Sequence, residues 1–203
     1  MGMDKRIGGS FLRPGVGFGG SCFPKDLQAF ARAGQNAGCD FTLLREVEKI
    51  NQSRIDLFVK KIEDELWVVR GKRIGVWGLA FKPRTDDVRF SPSLAIIRRL
   101  LAEGALVRAY DPQAMEKAKA VVPEIEYCSD AYAAAEGAEA LLALTEWEEF
   151  LRLDLTKVFQ IMARPLILDG RNMFPRARMA AHGFEYVDIG RGSPARKHRQ
   201  MVP

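Results

Sequence analysis

The sequence predicts an α/β fold in which a helical segment precedes a domain built on a parallel β-sheet. From residue 71 onwards, short apolar runs typical of buried strands alternate with stretches of helical period, and this alternation is characteristic of a parallel sheet covered on both faces. The first 70 residues show instead a glycine-rich stretch followed by helical patterns. We therefore predict a helical region over residues 1–70, a Rossmann-like domain over 71–190 and a basic tail over 191–203.

A glycine-rich loop opens the helical region. Glycines are frequent between residues 8 and 20, and Ser21-Cys22-Phe23-Pro24 follows this stretch directly. Serine is favoured at the N-cap of a helix, and proline is tolerated in the first turn because no amide donor is needed there. We predict a helix that starts at this point and ends near Gly34 or Gly38.

A longer helix is predicted from about Phe41 to Val68. Its apolar residues recur roughly at the period of an α-helix, which predicts one apolar face. These residues are Leu43, Leu44, Val47, Ile50, Ile55, Phe58, Val59, Ile62 and Leu66. Gly71-Lys72 interrupts the pattern and marks the predicted boundary.

The strands of the second domain are predicted from short apolar runs. The first covers residues 73–77, a helix follows over 92–102, and a second strand covers 106–110. Further strands are predicted at residues 125–127, 140–144, 166–168 and 186–187, with helices between them. Strands that alternate with helices in this way pair in parallel, which gives the Rossmann-like sheet.

One glycine motif resembles a cofactor fingerprint but stands in the wrong context. Residues 15–20 (GVGFGG) match the G-x-G-x-x-G pattern. A dinucleotide fingerprint must follow a strand and open a helix within a βαβ unit, whereas Arg13-Pro14 precedes this one. We interpret it as a loop whose backbone lies against a ligand, the alternative being a flexible loop whose glycines permit positive φ.

The start of the first helix combines groups suited to nucleophilic catalysis. Cys22, Lys25 and Asp26 are spaced at i, i+3 and i+4, which places them on one face of the opening turn. The amides and dipole of a helix N-terminus stabilise a thiolate, and Lys25 adds positive charge. A lone cysteine is more often a small buried apolar residue, but this combination makes Cys22 a candidate nucleophile.

Residues 11–26 (FLRPGVGFGGSCFPKD) closely resemble the active-site segment of the UDP-glucose 6-dehydrogenases. GDP-mannose dehydrogenases are less similar, and dehydrogenases of N-acetylated UDP-hexosamines less similar again. The resemblance continues through residues 78–82 (GLAFK), 87–89 (DVR), 110–112 (YDP) and 169–172 (DGRN). It covers nearly the whole chain except the tail, and it implies that the Rossmann-like domain binds UDP.

The resemblance also implies roles for individual residues. Lys25 and Arg89 match contacts to NAD, and Arg6 matches an arginine that reaches the substrate across a homodimer interface. The remaining matches to substrate contacts are Phe11, Leu12, Arg13, Pro14, Gly15, Gly19, Phe81, Lys82 and Arg171. Arginine and lysine are the expected partners of phosphate, although composition alone favours Lys82, Arg89 and Arg171 as ordinary surface charges.

The implied reaction oxidises C6 of UDP-glucose to the carboxylate of UDP-glucuronate with two NAD+ and one water. By resemblance, Cys22 adds to the C6 aldehyde, and the thioester that follows is hydrolysed. Asp26 is placed as the base that handles this water, or as a first-turn carboxylate that favours the helix dipole by about 0.5 kcal/mol. The family's N-terminal NAD-binding domain has no counterpart in this sequence, so we expect the chain alone to be inactive.

Composition and charge exclude several other classes. The net charge of +5 is compatible with an anionic ligand, and three cysteines without a C-x-x-C pair argue against a disulfide framework or a zinc site. A polar start and the lack of a long apolar run predict a cytoplasmic protein without membrane contact. The basic residues 196–199 are expected to be solvated, and Trp67, Trp77 and Trp147 to be core or interface anchors, so no nucleic acid partner is predicted.

Two alternatives to an oxidising enzyme remain open. A non-catalytic module that binds UDP or a nucleotide sugar would share the fold and differ in the reactivity of Cys22. A structural dimerisation element would depend on the apolar face of residues 41–68. GDP-mannose is the alternative substrate.

Overall fold

A computed structural model describes residues 1–9 and 12–191 of the chain. Phe11, one of the predicted substrate contacts, lies outside the described residues. The predicted basic tail also lies outside them, apart from its first residue, Arg191.

Eight helices and six strands make up the described part of the chain. The helices are α1 (Cys22–Asn36), α2 (Thr42–Leu66), α3 (Pro92–Ala102), α4 (Met115–Lys119), α5 (Ala131–Ala135), α6 (Glu148–Leu151), α7 (Leu155–Ile161) and α8 (Arg176–Ala181). The strands are β1 (Arg73–Trp77), β2 (Leu106–Tyr110), β3 (Glu126–Tyr127), β4 (Ala140–Ala143), β5 (Leu166–Asp169) and β6 (Glu185–Asp188). Every predicted strand is present, with ends that differ from the prediction by no more than one residue.

The six strands form one parallel sheet in the order β3-β2-β1-β4-β5-β6. This is the doubly wound order of Rossmann folds, so the predicted α/β class is confirmed. Trp77 at the end of β1 is in register with Tyr110 of β2 and Ala143 of β4. The chain therefore reverses its direction of strand addition between β1 and β4.

The core of the sheet lies around β1, β4 and β5. All four residues of β4 and of β5 are buried, as expected for parallel strands covered on both faces. Trp77 is fully buried, stacks on Phe150 at a ring-centroid distance of 5.3 Å and donates its indole N–H to the carbonyl of Ala131. The continuous apolar runs of the sequence thus form the centre of the domain.

The long helix α2 packs against the sheet domain only through its second half. Its buried residues are Phe58, Val59, Ile62 and Leu66, while Leu43 and Ile50 in the first half are exposed. Within this chain, part of the apolar face in the first half of α2 is therefore left uncovered. That half contacts α1, where the ring of Phe41 occupies the space beside Gly34 that any side chain would need.

Two local expectations from the sequence differ from the structure. Ser21 occupies the N-cap position of α1, but its backbone is helical and its side chain makes no capping hydrogen bond. Trp67 follows α2 with φ of 63° and is 90% exposed. It is therefore not a core anchor, and its alternative role at an interface stays a prediction. The proposed division of the chain at residue 70 stays a prediction.

Candidate functional site

A cleft of about 760 Å³ opens at the carboxyl ends of β1, β4 and β5. Pro83 and Arg84 from the loop after β1 form one wall, residues 146–149 after β4 another, and Arg171 after β5 a third. Arg13 and Pro14 from the glycine-rich loop close the remaining side. In open α/β sheets, ligands bind at the point where strand order reverses, and this cleft lies at that point.

Arg171 is held at the wall of the cleft by a buried ion pair. Its Nη2 lies 2.5 Å from Oε1 of Glu146, and both side chains are largely buried. The backbone N–H of Arg171 donates to Asp169 at 2.8 Å, which fixes the start of the loop. Gly15 lies against the guanidinium so closely that a Cβ there would collide with Nη1. The structure therefore brings together Arg13, Pro14, Gly15 and Arg171, as the predicted substrate residues require.

Asp169 organises the loop that carries Arg171. Its second carboxylate oxygen accepts hydrogen bonds from the backbone N–H of Met173 at 2.7 Å and from the hydroxyl of Tyr186 at 2.6 Å. Complete burial raises the pKa of Asp169, although these hydrogen bonds partly offset the effect. The carboxyl group therefore acts as a fixed acceptor inside the domain rather than as a group offered to a ligand.

The loop after β1 lies directly against the loop after β4. Gly78 has φ of +95°, and a Cβ there would lie 2.6 Å from the backbone nitrogen of Thr145. The hydroxyl of Thr145 donates to the carbonyl of Ala80 at 2.6 Å. A glycine is thus required where the two loops meet at the reversal point.

Asp111, which follows β2, supports the loop after β1. Its buried carboxylate accepts hydrogen bonds from the backbone N–H groups of Leu79 and Ala80 and from the indole of Trp147, at 2.7, 3.0 and 3.0 Å. The backbone N–H of Ala114 donates to the other oxygen at 2.8 Å. These donors occupy the carboxylate, so Asp111 holds protein loops rather than a ribose.

The glycine-rich loop continues from the cleft to the candidate nucleophile. Gly19 lies against the carbonyl of Phe90, where a Cβ would collide, and 3.1 Å would separate that Cβ from Cβ of Phe81. The N–H of Gly20 donates to the carbonyl of Arg89 at 2.9 Å. The loop is therefore fastened to the segment between β1 and α3, which brings Gly19 and Phe81 together with Arg89.

Cys22 is the first residue of α1 and is exposed. Its Sγ lies 3.9 Å from the hydroxyl of Ser21. Lys25 and Asp26 follow in the first turn, are 75% and 70% exposed and lie 3.9 Å apart. The three predicted groups thus share one accessible helix end, where the unpaired amides favour negative charge.

Arg89 lies beside the loop that precedes Cys22, since its carbonyl accepts the N–H of Gly20 at 2.9 Å. Its guanidinium pairs with Asp87 through Nε at 3.0 Å and Nη2 at 2.8 Å. The pairing lowers the pKa of Asp87 and raises that of Arg89, with the hydrogen bond between them as the main cause. Arg89 therefore places a permanent positive charge beside the helix end that carries Cys22.

Lys82 and Phe81 act as a pair on the loop after β1. The Lys82 ammonium lies 5.4 Å from the centroid of the Phe81 ring. The same ring packs against Gly20, where a Cβ would lie 2.8 Å from two ring carbons. Lys82 is exposed, and its position over the ring is typical of a cation–π contact.

Of the predicted substrate residues that the structure describes, Arg13, Pro14 and Arg171 line the cleft, whereas Gly19, Phe81, Lys82, Arg6 and Leu12 do not. Arg6 and Leu12 are held by local contacts elsewhere. Arg6 pairs with Asp4 at 2.8 Å in an exposed turn near the start of the chain. Leu12 is exposed, and its N–H donates to the carbonyl of Gly9. Their proposed roles depend on a second chain or on a ligand and remain predictions.

The loop after β1 lacks the tight glycine turn that cradles a dinucleotide. β1 is followed by the long loop 78–91 before α3 begins at Pro92, whereas a pyrophosphate site needs a tight glycine turn that opens a helix. Lys25 and Arg89 are exposed cations beside Cys22 and fit contacts to the anionic parts of a cofactor. Within residues 1–9 and 12–191, no cluster of metal-ligating side chains occurs. None of the helices described there is long and apolar enough to cross a membrane.

Sequence reasoning missed Glu146, Thr145 and Asn51. The first two follow a predicted strand at its carboxyl end, so the rule on ligand positions in α/β sheets would have found them. Asn51 lies in the middle of α2 and bonds to the backbone of Phe18. No sequence signal indicates that contact, because it joins residues that are far apart in the chain.

A doubly wound sheet with an arginine-lined cleft at its reversal point defines a nucleotide-binding α/β protein. The chain belongs to the UDP-glucose/GDP-mannose dehydrogenase family. Residues 75–176 match the model of that family's UDP binding domain, and residues 1–53 match the model of its central domain. The family resemblance seen in the sequence is thus confirmed.

Individual relatives agree with this assignment. The chain is 45% identical over 192 residues to the UDP-glucose 6-dehydrogenase TuaD of Bacillus subtilis, covering 94% of this chain and 42% of the relative. It is also 45% identical over 199 residues to a UDP-glucose 6-dehydrogenase of Pseudomonas aeruginosa, covering 94% and 44%. The chain therefore spans less than half the length of these relatives.

A solved structure shows the same arrangement of elements. The UDP-glucose dehydrogenase of the hyperthermophilic archaeon Pyrobaculum islandicum is 38% identical, with a TM-score of 0.79. The match covers 92% of this chain and 41% of that one. The match therefore includes both the parallel sheet and the helices that precede it.

Proposed function

We propose that this chain is the UDP-binding and cysteine-bearing part of an NAD-dependent UDP-glucose 6-dehydrogenase. The single observation that carries the proposal is the glycine-rich loop. Arg13 and Pro14 of this loop form one side of the cleft at the carboxyl ends of β1, β4 and β5. The loop then leads directly into α1 at Cys22. One continuous segment thus joins a nucleotide site to a candidate nucleophile, as a substrate that carries both a nucleotide and a reacting carbon requires.

The nucleotide part of the substrate is assigned to the cleft at the carboxyl ends of β1, β4 and β5. Arg171 is held there by Glu146, and Arg13 is exposed on the facing loop. Guanidinium groups bind phosphate oxygens with charge-assisted hydrogen bonds. Lys82 supplies a further cation on the loop after β1. Phe11, Leu12, Pro14, Gly15, Gly19 and Phe81 complete the proposed substrate contacts.

The covalent chemistry is assigned to Cys22 and Asp26. The thiolate of Cys22 adds to the C6 aldehyde: a C–S bond forms as the carbonyl π bond breaks, and the resulting oxyanion takes a proton from solvent to give the hydroxyl of a thiohemiacetal. Asp26, one turn further along α1, takes a proton from the water that later hydrolyses the thioester. Lys25 and Arg89 are exposed cations and are assigned to the anionic parts of NAD. NAD, when bound, supplies the hydride acceptor for both oxidations.

The same proposal places the complete enzyme in the cytoplasm as a homodimer and leaves this chain inactive alone. The helix end that carries Lys25 and Asp26 is exposed rather than enclosed. The loop after β1 also lacks the glycine turn that would hold NAD. We expect no NADH, followed by its absorbance, when the purified chain is mixed with UDP-glucose and NAD+. NADH formation that depends on Cys22 would show that the inactivity part of the proposal is wrong.

Calorimetric titration with UDP tests the nucleotide site, with GDP as the comparison ligand. We expect saturable UDP binding that is weakened at least about tenfold by Arg171→Ala, because a charged hydrogen bond contributes about 1.5–3 kcal/mol. Lys82→Ala should weaken binding as well. Arg99→Ala serves as the matched control, because it removes an exposed arginine that pairs with Asp56 and does not line the cleft. No binding at millimolar UDP in a folded sample would refute the assigned cleft.

A further inference from the structure

Asn51 makes an unusual pair of hydrogen bonds from the middle of α2. Its Oδ1 accepts the backbone N–H of Phe18 at 2.7 Å, and its Nδ2 donates to the carbonyl of the same residue at 3.1 Å. One side chain thereby satisfies both backbone groups of a single loop residue. The contact spans 33 positions in sequence and is partly buried.

The neighbouring loop residue is adapted to this contact. Gly17 has φ of +124°, and a Cβ there would lie 3.0 Å from Oδ1 of Asn51. A side chain at Gly17 would therefore crowd the carboxamide as well as strain the backbone. The glycine is needed here for close approach, which is a more specific role than general loop flexibility.

A short chain of contacts joins Asn51 to the helix end that carries Cys22. The ring of Phe18 packs on the ring of Phe23 with centroids 5.0 Å apart, and Phe23 follows Cys22 directly. Gly20 is anchored separately through its N–H to the carbonyl of Arg89. The loop is thus held at two points immediately before Cys22, one of them on α2.

We infer that Asn51 is a positioning residue, which sets the place of Cys22 by holding the backbone of Phe18. The inference rests on the proposed function for the meaning of Cys22, but the contact itself does not. An asparagine in the middle of a helix is a modest helix former, so local structure offers no reason for it. A backbone segment without regular structure needs partners for its N–H and C=O groups, and Asn51 supplies both.

The test uses the full chain with Cys39→Ser, so that Cys22 is the accessible cysteine while Cys128 is buried. Asn51→Leu removes both hydrogen bonds and keeps the size, and Gln52→Leu is the control on the next residue of α2. Asn51→Asp keeps the acceptor and loses the donor, and serves if Asn51→Leu does not fold. Two quantities are measured: amide exchange at Phe18 and the rate of Cys22 alkylation against pH.

Faster exchange at Phe18, by about tenfold in Asn51→Leu relative to Gln52→Leu, is expected for the loss of this hydrogen bond. Asn51→Asp should give a smaller increase of about threefold. The pH profile of Cys22 alkylation should also change in Asn51→Leu and not in Gln52→Leu. Asn51→Asp is compared by amide exchange alone, because its added charge acts on the thiol directly. A residue that only stabilised α2 would change global stability without changing that profile.

Equal exchange at Phe18 in Asn51→Leu and Gln52→Leu would overturn the inference. Faster exchange with an unchanged alkylation profile would overturn it too, since the loop would then move without affecting Cys22. An ordinary free-thiol profile in the unsubstituted chain would instead contradict the proposed covalent role of Cys22. The exchange at Phe18 would still show whether Asn51 holds the loop, so the two failures are distinguishable.

Discussion

Asp111 supports the loops around the cleft through its buried carboxylate. Its carboxylate accepts hydrogen bonds from Leu79, Ala80 and Trp147 within the buried interior. We expect Asp111→Ala to lower the free energy of unfolding by at least about 3 kcal/mol, because several buried donors lose a charged acceptor. Urea denaturation measures this, with Asp86→Ala as the control, since the Asp86–Lys117 pair is exposed and contributes less than about 1 kcal/mol. Equal losses in both variants would contradict the role assigned to Asp111.

The Asp87–Arg89 pair predicts a pH dependence of stability. Arg89 lowers the pKa of Asp87 in the folded chain, so the ionised form is favoured by folding. This stabilisation is present above the unfolded pKa of about 3.9 and is lost as pH falls through the lower folded value. Asp87→Asn should therefore reduce stability at neutral pH and flatten its decline below about pH 4. Denaturation across pH would contradict this if Asp87→Asn and Asp86→Asn gave the same acid limb.

At the scale of single residues, the sequence identified reactive side chains that are close together in the chain. It missed side chains whose partners are far away in the sequence. Cys22, Lys25 and Asp26 are neighbours on one turn, so their spacing alone predicted a shared face. Asn51 and Glu146 act on residues at least 25 positions away. Only the packing of loops onto α2 and onto the sheet brings those partners together.

At the scale of elements, the contact between the loops after β1 and β4 requires a glycine at position 78. Gly78→Ala would strain a backbone at φ of +95° and force a Cβ against Thr145. We expect a loss of about 2–5 kcal/mol in unfolding free energy, about 1–2 from strain and about 1–3 from overlap, together with weaker UDP binding. Gly71→Ala is the control, because Gly71 has φ of +76° with open space around it and should cost only the strain. Similar losses in the two variants would show that the loop contact at Thr145 has no energetic weight.

The elements themselves were predictable to different degrees. Strands β4 and β5 are buried on both faces, so their apolar runs identified them within a residue of their ends. The period of α2 predicted the helix, but not that Leu43 would be exposed while Ile62 is fully buried. The amphipathic period shows which face of a helix is apolar. The length of the element that packs on it decides how much of that face is covered.

At the scale of the whole molecule, the fold class followed from the alternation of strands and helices, while the order of strands did not. That order depends on which strands pair across β1, and the connections alone leave it open. The strand order locates the cleft, because the reversal between β1 and β4 is where the loops separate. The candidate site was therefore predictable as a set of residues but not as a place.

The exposed face of α2 leads to the last prediction, which concerns assembly. Leu43, Ile50 and Leu57 are 75%, 57% and 50% exposed, and their spacing of seven residues aligns them in one stripe along the helix. Burying such a stripe against a second copy would contribute about 1.5–3 kcal/mol for each large side chain, which favours the proposed homodimer. Sedimentation velocity should show a dimer that Ile50→Lys dissociates and the polar control Gln52→Lys does not. A monomer at high micromolar concentration in the unsubstituted chain would mean that this stripe alone does not drive dimerisation.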